Sequence, residues 1–147
     1  MDSSGIVTQT PVYMAAVRKA NTQKHNILHL DKSKENEYRK LIRKEWRWKL
    51  SAILIFKSIE PLIKQNDIIQ IDTDFQGKNR AKIESYLRKL FGIKYYGKKL
   101  SNPKIQFIPP IHSEDVKLAH KKSRKARRHK IDVVKCPNLR KEIDILN

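Results

Sequence analysis

Acidic residues are scarce in this chain of 147 residues. Lys and Arg number 33 against 15 Asp and Glu, so the formal net charge is +18 at pH 7. An excess of this size produces a field that attracts polyanions, and nucleic acid is the first partner it indicates. Composition alone also allows a basic surface that is only solvated, or one that rests on acidic lipid or on an acidic protein.

Cysteine is nearly absent as well. Cys136 is the only one, which excludes an internal disulfide, and no Cys/His set has zinc-site spacing. No apolar run approaches the ~20 residues of a membrane span, and the Asp-Ser-Ser that follows Met1 is unlike a signal peptide. We therefore expect a cytoplasmic protein with no membrane partner and no small-molecule cofactor.

The length suits one domain, because 147 residues can bury one core and are too few for two ordinary ones. We expect this domain to span residues 1–130, with residues 131–147 as an extension packed on it. Oligomeric state leaves no mark on the sequence.

Hydrophobic periodicity predicts alternating strands and helices. Ser33 and Ser113 are candidate helix N-caps, Pro61 predicts a break near Ile59, and Gly92 predicts a helix end. The predicted elements, in chain order, are strands at 7–17 and 25–30, a helix at 33–65, a strand at 67–74, a helix at 79–91, a strand at 104–108 and a helix at 113–130.

Two carboxylates follow the apolar strand at residues 68–71. Side chains alternate along a strand, so Asp72 and Asp74 share a face with Cα atoms about 6.6 Å apart. Two anions held side by side favour a bound cation. The alternative is that Asp-Thr-Asp simply begins the turn that Gly77 continues, because Asp is a common turn residue.

A third carboxylate, Glu45, falls on the apolar side of the first predicted helix. It shares the row Leu41, Trp48, Ala52, so we expect it to point toward the sheet, where a buried carboxylate needs a partner such as a metal. The alternative is a local pair with Lys49, worth ~0.3 kcal/mol.

The order of elements, together with three short motifs, resembles the ribonuclease H-like superfamily. The passage 2–5, Asp-Ser-Ser-Gly, is similar to the end of the family's first strand, and residues 73–76, Thr-Asp-Phe-Gln, are similar to the end of its fourth. Asp115 and Ala119 match the start of its last helix. The resemblance implies an α/β fold with a central mixed five-stranded sheet flanked by helices. Only Met1 precedes Asp2, so we expect either that the true start lies upstream or that the first strand is shortened.

The resemblance also implies a metal-dependent nuclease that hydrolyses phosphodiester bonds in RNA, DNA or a hybrid. Two divalent ions, Mg²⁺ or Mn²⁺, would be held by convergent carboxylates. The candidate metal ligands are Asp2, Glu45, Asp74 and Asp115, and the candidate catalytic residues are these four with Asp72.

Basic residues supply a second candidate function. They cluster in the last predicted helix and in the loop before the last predicted strand, where they can contact phosphates. The candidate nucleic-acid contacts are Lys98, Lys99, Lys121, Lys122, Arg124, Lys125, Arg127 and Arg128. The alternative to a nuclease is therefore a non-catalytic RNA- or DNA-binding protein, such as a ribosome-associated factor. Trp46 and Trp48 are expected to pack in the core, and His112 to be an ordinary loop residue.

Overall fold

The computed structural model describes residues 2–4, 12–17, 24–64, 67–72, 79–95, 103–129 and 133–147. Strands and helices alternate through most of it. In chain order the elements are β1 (Asp2–Ser4), β2 (Val12–Val17), β3 (His25–Leu30), α1 (Lys32–Leu41), α2 (Trp46–Ile59), β4 (Ile68–Asp72), α3 (Arg80–Tyr95), β5 (Lys104–Ile108), a 3-10 turn (Pro110–His112), α4 (Glu114–His129), β6 (Val133–Lys135) and α5 (Arg140–Leu146).

The described strands form two sheets. A four-stranded sheet has the order β1-β2-β3-β6, in which β1, β2 and β3 are antiparallel and β6 is parallel to β3. A two-stranded sheet pairs β4 with β5 in parallel, with Asp72 opposite Ile108. The α/β class is as expected, but within these ranges a single five-stranded sheet is wrong, because β4 pairs only with β5 and the unexpected strand β6 joins β3.

Helices cover both faces of the sheets. Consecutive residues along a strand pack against helices on opposite faces. On β2, Ala15 packs in a small cluster with Ala126 of α4, whereas Ala16 packs in the main core with α2. On β4, Ile69 and Ile71 belong to the main core. The α4 helix therefore lies on one face, and the main core with α2 lies on the other.

The α2 helix is the centre of the main core. Residues 49–56 are all buried, which is more than two full turns, so this helix has no solvent face in that stretch. It contacts β2 and β3 on one side and α1, α3 and α5 around the rest. Within the described ranges, no helix has the length and apolar character needed to cross a membrane.

The predicted helix at 33–65 is wrong as a single element, because it is two helices. The first ends at Leu41, and Ile42 continues in an extended conformation with φ −87° and ψ 124°. Glu45 then adopts a left-handed conformation, φ 54° and ψ 39°, and α2 begins at Trp46. Its end at Ile59 agrees with the break expected from Pro61.

Two predicted helix ends also differ from the structure. Asp31 rather than Ser33 caps α1, because the Asp31 carboxylate accepts a hydrogen bond from the Lys34 backbone N–H at 2.9 Å. The α3 helix passes Gly92 and ends at Tyr95. A glycine inside a helix costs ~1 kcal/mol relative to alanine, and the burial of Phe91 in the main core offsets that cost.

Residues 133–147 complete the sheet and the core. Leu139, Ile143 and Leu146 lie in the main core beside α2 and α3. Glu142 of α5 also turns inward, and its carboxylate lies 2.9 Å from the Lys57 ammonium of α2. Burial is the largest single influence on the pKa of Lys57 and would lower it, but the Glu142 and Glu60 carboxylates together outweigh burial, and the pKa is raised.

Glu142→Gln is expected to lower the free energy of unfolding by about 2 to 3 kcal/mol, because it leaves the Lys57 charge largely buried. Losing one partner of a fully buried pair costs ~3–5 kcal/mol. Glu60, 3.2 Å from Lys57, retains part of the compensation.

Urea denaturation measures the difference. The matched control is Glu84→Gln, which breaks the exposed pair with Arg88 and should change stability by less than ~1 kcal/mol. Equal effects of the two substitutions would contradict the role assigned to the Lys57–Glu142 pair.

Candidate nucleic-acid interface and carboxylate site

The Ser113 side chain fixes the start of α4 through two hydrogen bonds. The Ser113 hydroxyl accepts a hydrogen bond from the Val116 backbone N–H at 3.2 Å, so the predicted N-cap is confirmed. The same hydroxyl donates to Gln70 Oε1 of β4 at 2.6 Å. The cap therefore ties the first turn of α4 to the two-stranded sheet.

The buried side of α4 consists mainly of small residues. Val116, Ala119, Ser123 and Ala126 are buried at spacings of three and four, which is the spacing of one helix face. Small side chains allow the helix backbone to approach the strands closely. The helix contacts β1, β2 and β4, so it spans both sheets.

The outer side of α4 is basic from Lys117 to Arg128, after an acidic first turn that contains Glu114 and Asp115. Among the described residues, none of its Lys and Arg side chains forms an ion pair with a carboxylate. The exposed cations are Lys117, Lys121, Arg124, Lys125, Arg127 and Arg128, and Lys122 is half-buried. Like charges crowded on one surface repel one another, and a polyanion relieves that repulsion.

A buried carboxylate lies beneath this helix. Asp72, the last residue of β4, is 1% exposed, and its Oδ2 lies 3.6 Å from His120 Nδ1 of α4. That distance suits an ion pair when the imidazole is protonated and is too long for a hydrogen bond. Asp72 thus faces α4, as its neighbour Gln70 does.

Asp115 lies on the opposite flank of α4 from His120. Five residues at 100° each place the two side chains about 140° apart around the helix, and Asp115 is half-buried. Asp2 is paired in β1 with Ala15 of β2, and its side chain lies outside the described part of the structure, as does all of Asp74. Of these residues, the described structure brings Asp72 next to His120, and Asp115 lies on the other flank of α4.

A metal centre is not complete within the described residues. Among them, no three His, Cys, Asp or Glu side chains are placed to hold one ion. Asp72 and His120 supply one oxygen and one nitrogen. The predicted two-metal cluster of Asp2, Asp74 and Asp115 stays a prediction.

Glu45 is a clear correction to the sequence analysis. It does not point toward the sheet, because the helix is interrupted there and its side chain is exposed at the start of α2. Its Oε1 lies 2.8 Å from Lys82 Nζ, and its Oε2 accepts a hydrogen bond from the Tyr86 hydroxyl. The alternative pairing with Lys49 is not the principal one either.

This arrangement ties the start of α2 to α3. The hydrogen bonds from Lys82 and then from Tyr86 hold the pKa of Glu45 below its usual range. Burial, with the Glu45 carboxylate nearby, raises the pKa of Tyr86 to about 12. Two partners from one helix thus hold the left-handed residue in place, so Glu45 has a structural role in this geometry.

The remaining predicted contacts divide in two. Lys98 and Lys99 lie outside the described residues, whereas the basic residues of α4 are on its surface. Trp46 and Trp48 are half-buried against the main core. His120 was not among the predicted site residues. It lies seven residues after Ser113, which contacts β4, so the two share a flank of α4.

Glu45→Gln should lower the pKa of Tyr86, because the carboxylate that opposes phenol ionisation is removed. Tyr86 favours the folded state below its ordinary pKa of about 10, and that contribution disappears as pH rises toward 12. Absorbance at 295 nm follows tyrosine ionisation, and Tyr86→Phe identifies its step.

Glu84→Gln, on the same helix as Tyr86, is the control and should leave that step in place. If Tyr86 ionised at the same high pH in Glu45→Gln as in the parent, the Glu45 carboxylate would not act on Tyr86.

Comparison with known proteins identifies no relative of this chain. No family model matches the chain, and neither the curated proteins nor the solved structures contain a match. Function is therefore argued from the site itself.

Proposed function

We propose that this chain binds nucleic acid through the outer face of α4. The observation that carries the proposal is the row of exposed Lys and Arg side chains on that face, among which no carboxylate partner is found in the described residues. Helix and strands fix these charges in place through Ser113 at one end and Ala126 at the other. A phosphate backbone, with one charge per ~1.7 Å of duplex axis, matches such a row.

Binding of this kind is largely indifferent to base sequence. Lysine and arginine on a single exposed face contact phosphates, and phosphate contacts set position rather than sequence. The half-buried Trp46 and Trp48 lie in α2, on the other face of the sheet. The net charge of +18 further favours rapid, salt-sensitive association.

Lys121→Glu together with Arg128→Glu should weaken binding to duplex DNA and flatten its salt dependence. Each phosphate contact contributes a slope of about −0.9 in log affinity against log salt. Losing two contacts should make the slope less negative by ~1.8 or more. Fluorescence anisotropy with a labelled duplex measures affinity at several salt concentrations.

The matched control is Lys64→Glu together with Lys89→Glu, which changes the net charge equally at exposed positions of other elements. It should retain most of the parent slope. If the two double variants give the same slope, net charge alone governs binding and α4 is not the contact surface.

We propose phosphodiester hydrolysis as a second candidate function. The observation that favours it is Asp72, a buried carboxylate at the end of a strand, beside His120 and directly under the proposed contact helix. A phosphate held by the basic face would reach this pair from the side of His120, which is partly exposed on the flank of α4, whereas Asp72 is buried beneath the helix.

The arrangement of strands under α4 supports the ribonuclease H-like fold as part of this proposal. One flank of α4 contacts β4 through His120, and Ala126 packs near β2. A helix is ~10 Å wide and strands lie ~4.8 Å apart, so about one strand fits between β2 and β4. The β1 strand, next to β2 and in contact with α4, is the one available. Asp2 would then lie near Asp72.

Asp72 and His120 could supply two of the ligands of a divalent cation. Two ligands that each lie ~2.1 Å from one ion are at most ~4.2 Å apart, and the Asp72–His120 separation is 3.6 Å. An imidazole ligand suits Mn²⁺ better than Mg²⁺. When bound, the ion would supply charge stabilisation at the phosphate. Asp72 and His120 would hold the ion, and the basic residues of α4 would hold the phosphate.

Mn²⁺ should raise the melting temperature of the parent protein, because it binds the folded state. Asp72→Asn should abolish this rise and any cleavage of a labelled oligonucleotide while retaining its binding. His120→Asn, at a partly exposed position, provides a second variant if Asp72→Asn unfolds.

Glu45→Gln is the control, since its carboxylate is held by Lys82 and Tyr86, and it should respond to Mn²⁺ as the parent does. A parent protein that neither responds to Mn²⁺ nor cleaves would eliminate hydrolysis and leave the binding proposal intact.

A further inference from the structure

A second concentration of cations lies at the corner between α1 and α2, on the face of the sheet opposite to α4. Five exposed basic residues occur within nine positions, on the last turn of α1, the connection and the first turn of α2. They are Arg39, Lys40, Arg43, Lys44 and Arg47, and we call them the corner cations. The α4 surface and the corner are separated by the sheet and the main core.

Two tryptophans hold the arginines of this corner. Arg39 Cζ lies 4.7 Å from the centroid of the Trp46 ring, and Arg47 Cζ lies 5.8 Å from that of Trp48. Each ring is half-buried against the main core. A guanidinium stacked on an anchored ring loses little further freedom when it binds an anion, and it keeps its N–H edge available.

The backbone of the corner is fixed from outside. The Asn147 side-chain amide donates to the Leu41 carbonyl at 2.9 Å, and its oxygen accepts from the Arg43 N–H at 3.1 Å. Glu45, held by Lys82 and Tyr86, fixes the other end of the connection. The corner is therefore preorganised before any partner binds.

The nearby carboxylates Glu37 and Glu45 are already committed to other cations, and Glu35, on which the charge of Arg39 acts, is buried. Glu37 pairs with Lys34 and Arg140, each at 3.2 Å, and Glu45 pairs with Lys82. In the described part of the chain, no carboxylate forms an ion pair with a corner cation. Such a surface complements a polyanion rather than a neutral or basic partner.

We infer that the corner cations form a second nucleic-acid contact surface, so that one molecule can hold two nucleic-acid segments on opposite faces. The inference rests on the proposed function of α4 and extends it. We favour nucleic acid over an acidic protein or a lipid surface because five exposed cations within nine positions match the dense, regular charge of a phosphate backbone, and because the α4 surface is proposed to bind the same partner.

The test is Arg39→Glu together with Arg47→Glu, compared with the Lys64→Glu and Lys89→Glu control of equal charge. In the parent background the corner variant should reduce the number of duplexes bound at saturation from two to one and leave the affinity of the α4 face in place, because the surfaces share no residue. In the background of the α4 double variant, where the corner is the remaining contact surface, it should lower affinity for duplex DNA about tenfold and make the salt slope less negative by ~1.8.

Bridging gives a readout that single-site binding does not. With two differently labelled duplexes, energy transfer should rise when the parent protein is added at a low ratio to DNA. The corner variant should lose this rise while still binding one duplex. Arg39→Lys with Arg47→Lys keeps the charge but not the planar stacking, and its bridging should be intermediate.

The outcomes separate the two proposals. If only the α4 variant differs from the control, the corner surface is wrong and the proposed function stands. If neither differs, both fail. If the corner variant loses affinity equally for polyglutamate or for vesicles with anionic lipid, the corner recognises charge without preference and the nucleic-acid assignment is overturned. Circular dichroism melting confirms that each variant is folded.

Discussion

The burial of α2 on every side is the constraint on which this fold depends. A helix with no solvent face must be surrounded, and here β2, β3, α1, α3 and α5 surround it. These neighbours take up most of the large apolar side chains. The α4 face has only a small cluster of Ala15, Ile27 and Ala126, with Val133 against it. One face of the protein therefore provides stability, and the other is available for charge.

The two charged surfaces have different structural origins. On α4 a narrow buried stripe is enough to attach the helix, so most of its circumference carries lysine and arginine. At the corner, the chain must leave α1 and enter α2 at an angle, and Glu45 makes that turn with a positive φ. A left-handed glutamate costs roughly 1 kcal/mol or more, which its bonds to Lys82 and Tyr86 offset. Arg43 and Lys44, in the connection before this turn, are exposed to solvent.

Periodicity and capping rules predicted the elements whose signals are local. Strands at His25–Leu30 and Lys104–Ile108 and the cap at Ser113 are as expected. The interruption at Glu45 was not predictable in this way, because the apolar row that contains Glu45 fits an uninterrupted helix. The residues that hold the interruption in place, Lys82 and Asn147, are distant in sequence. The Asp72–His120 contact also depends on a crossover between sheets, which spacing along one chain does not show. Asp72 itself was found, since it follows an apolar strand.

The late position of α5 has a consequence for biosynthesis. Leu139, Ile143, Leu146 and Glu142 fill the core around α2, yet they are translated after every other described element. During elongation α2 has already emerged with one side uncovered and Lys57 without its Glu142 partner. The nascent chain should therefore stay open, and susceptible to chaperones and proteases, until residues near 146 have left the ribosome.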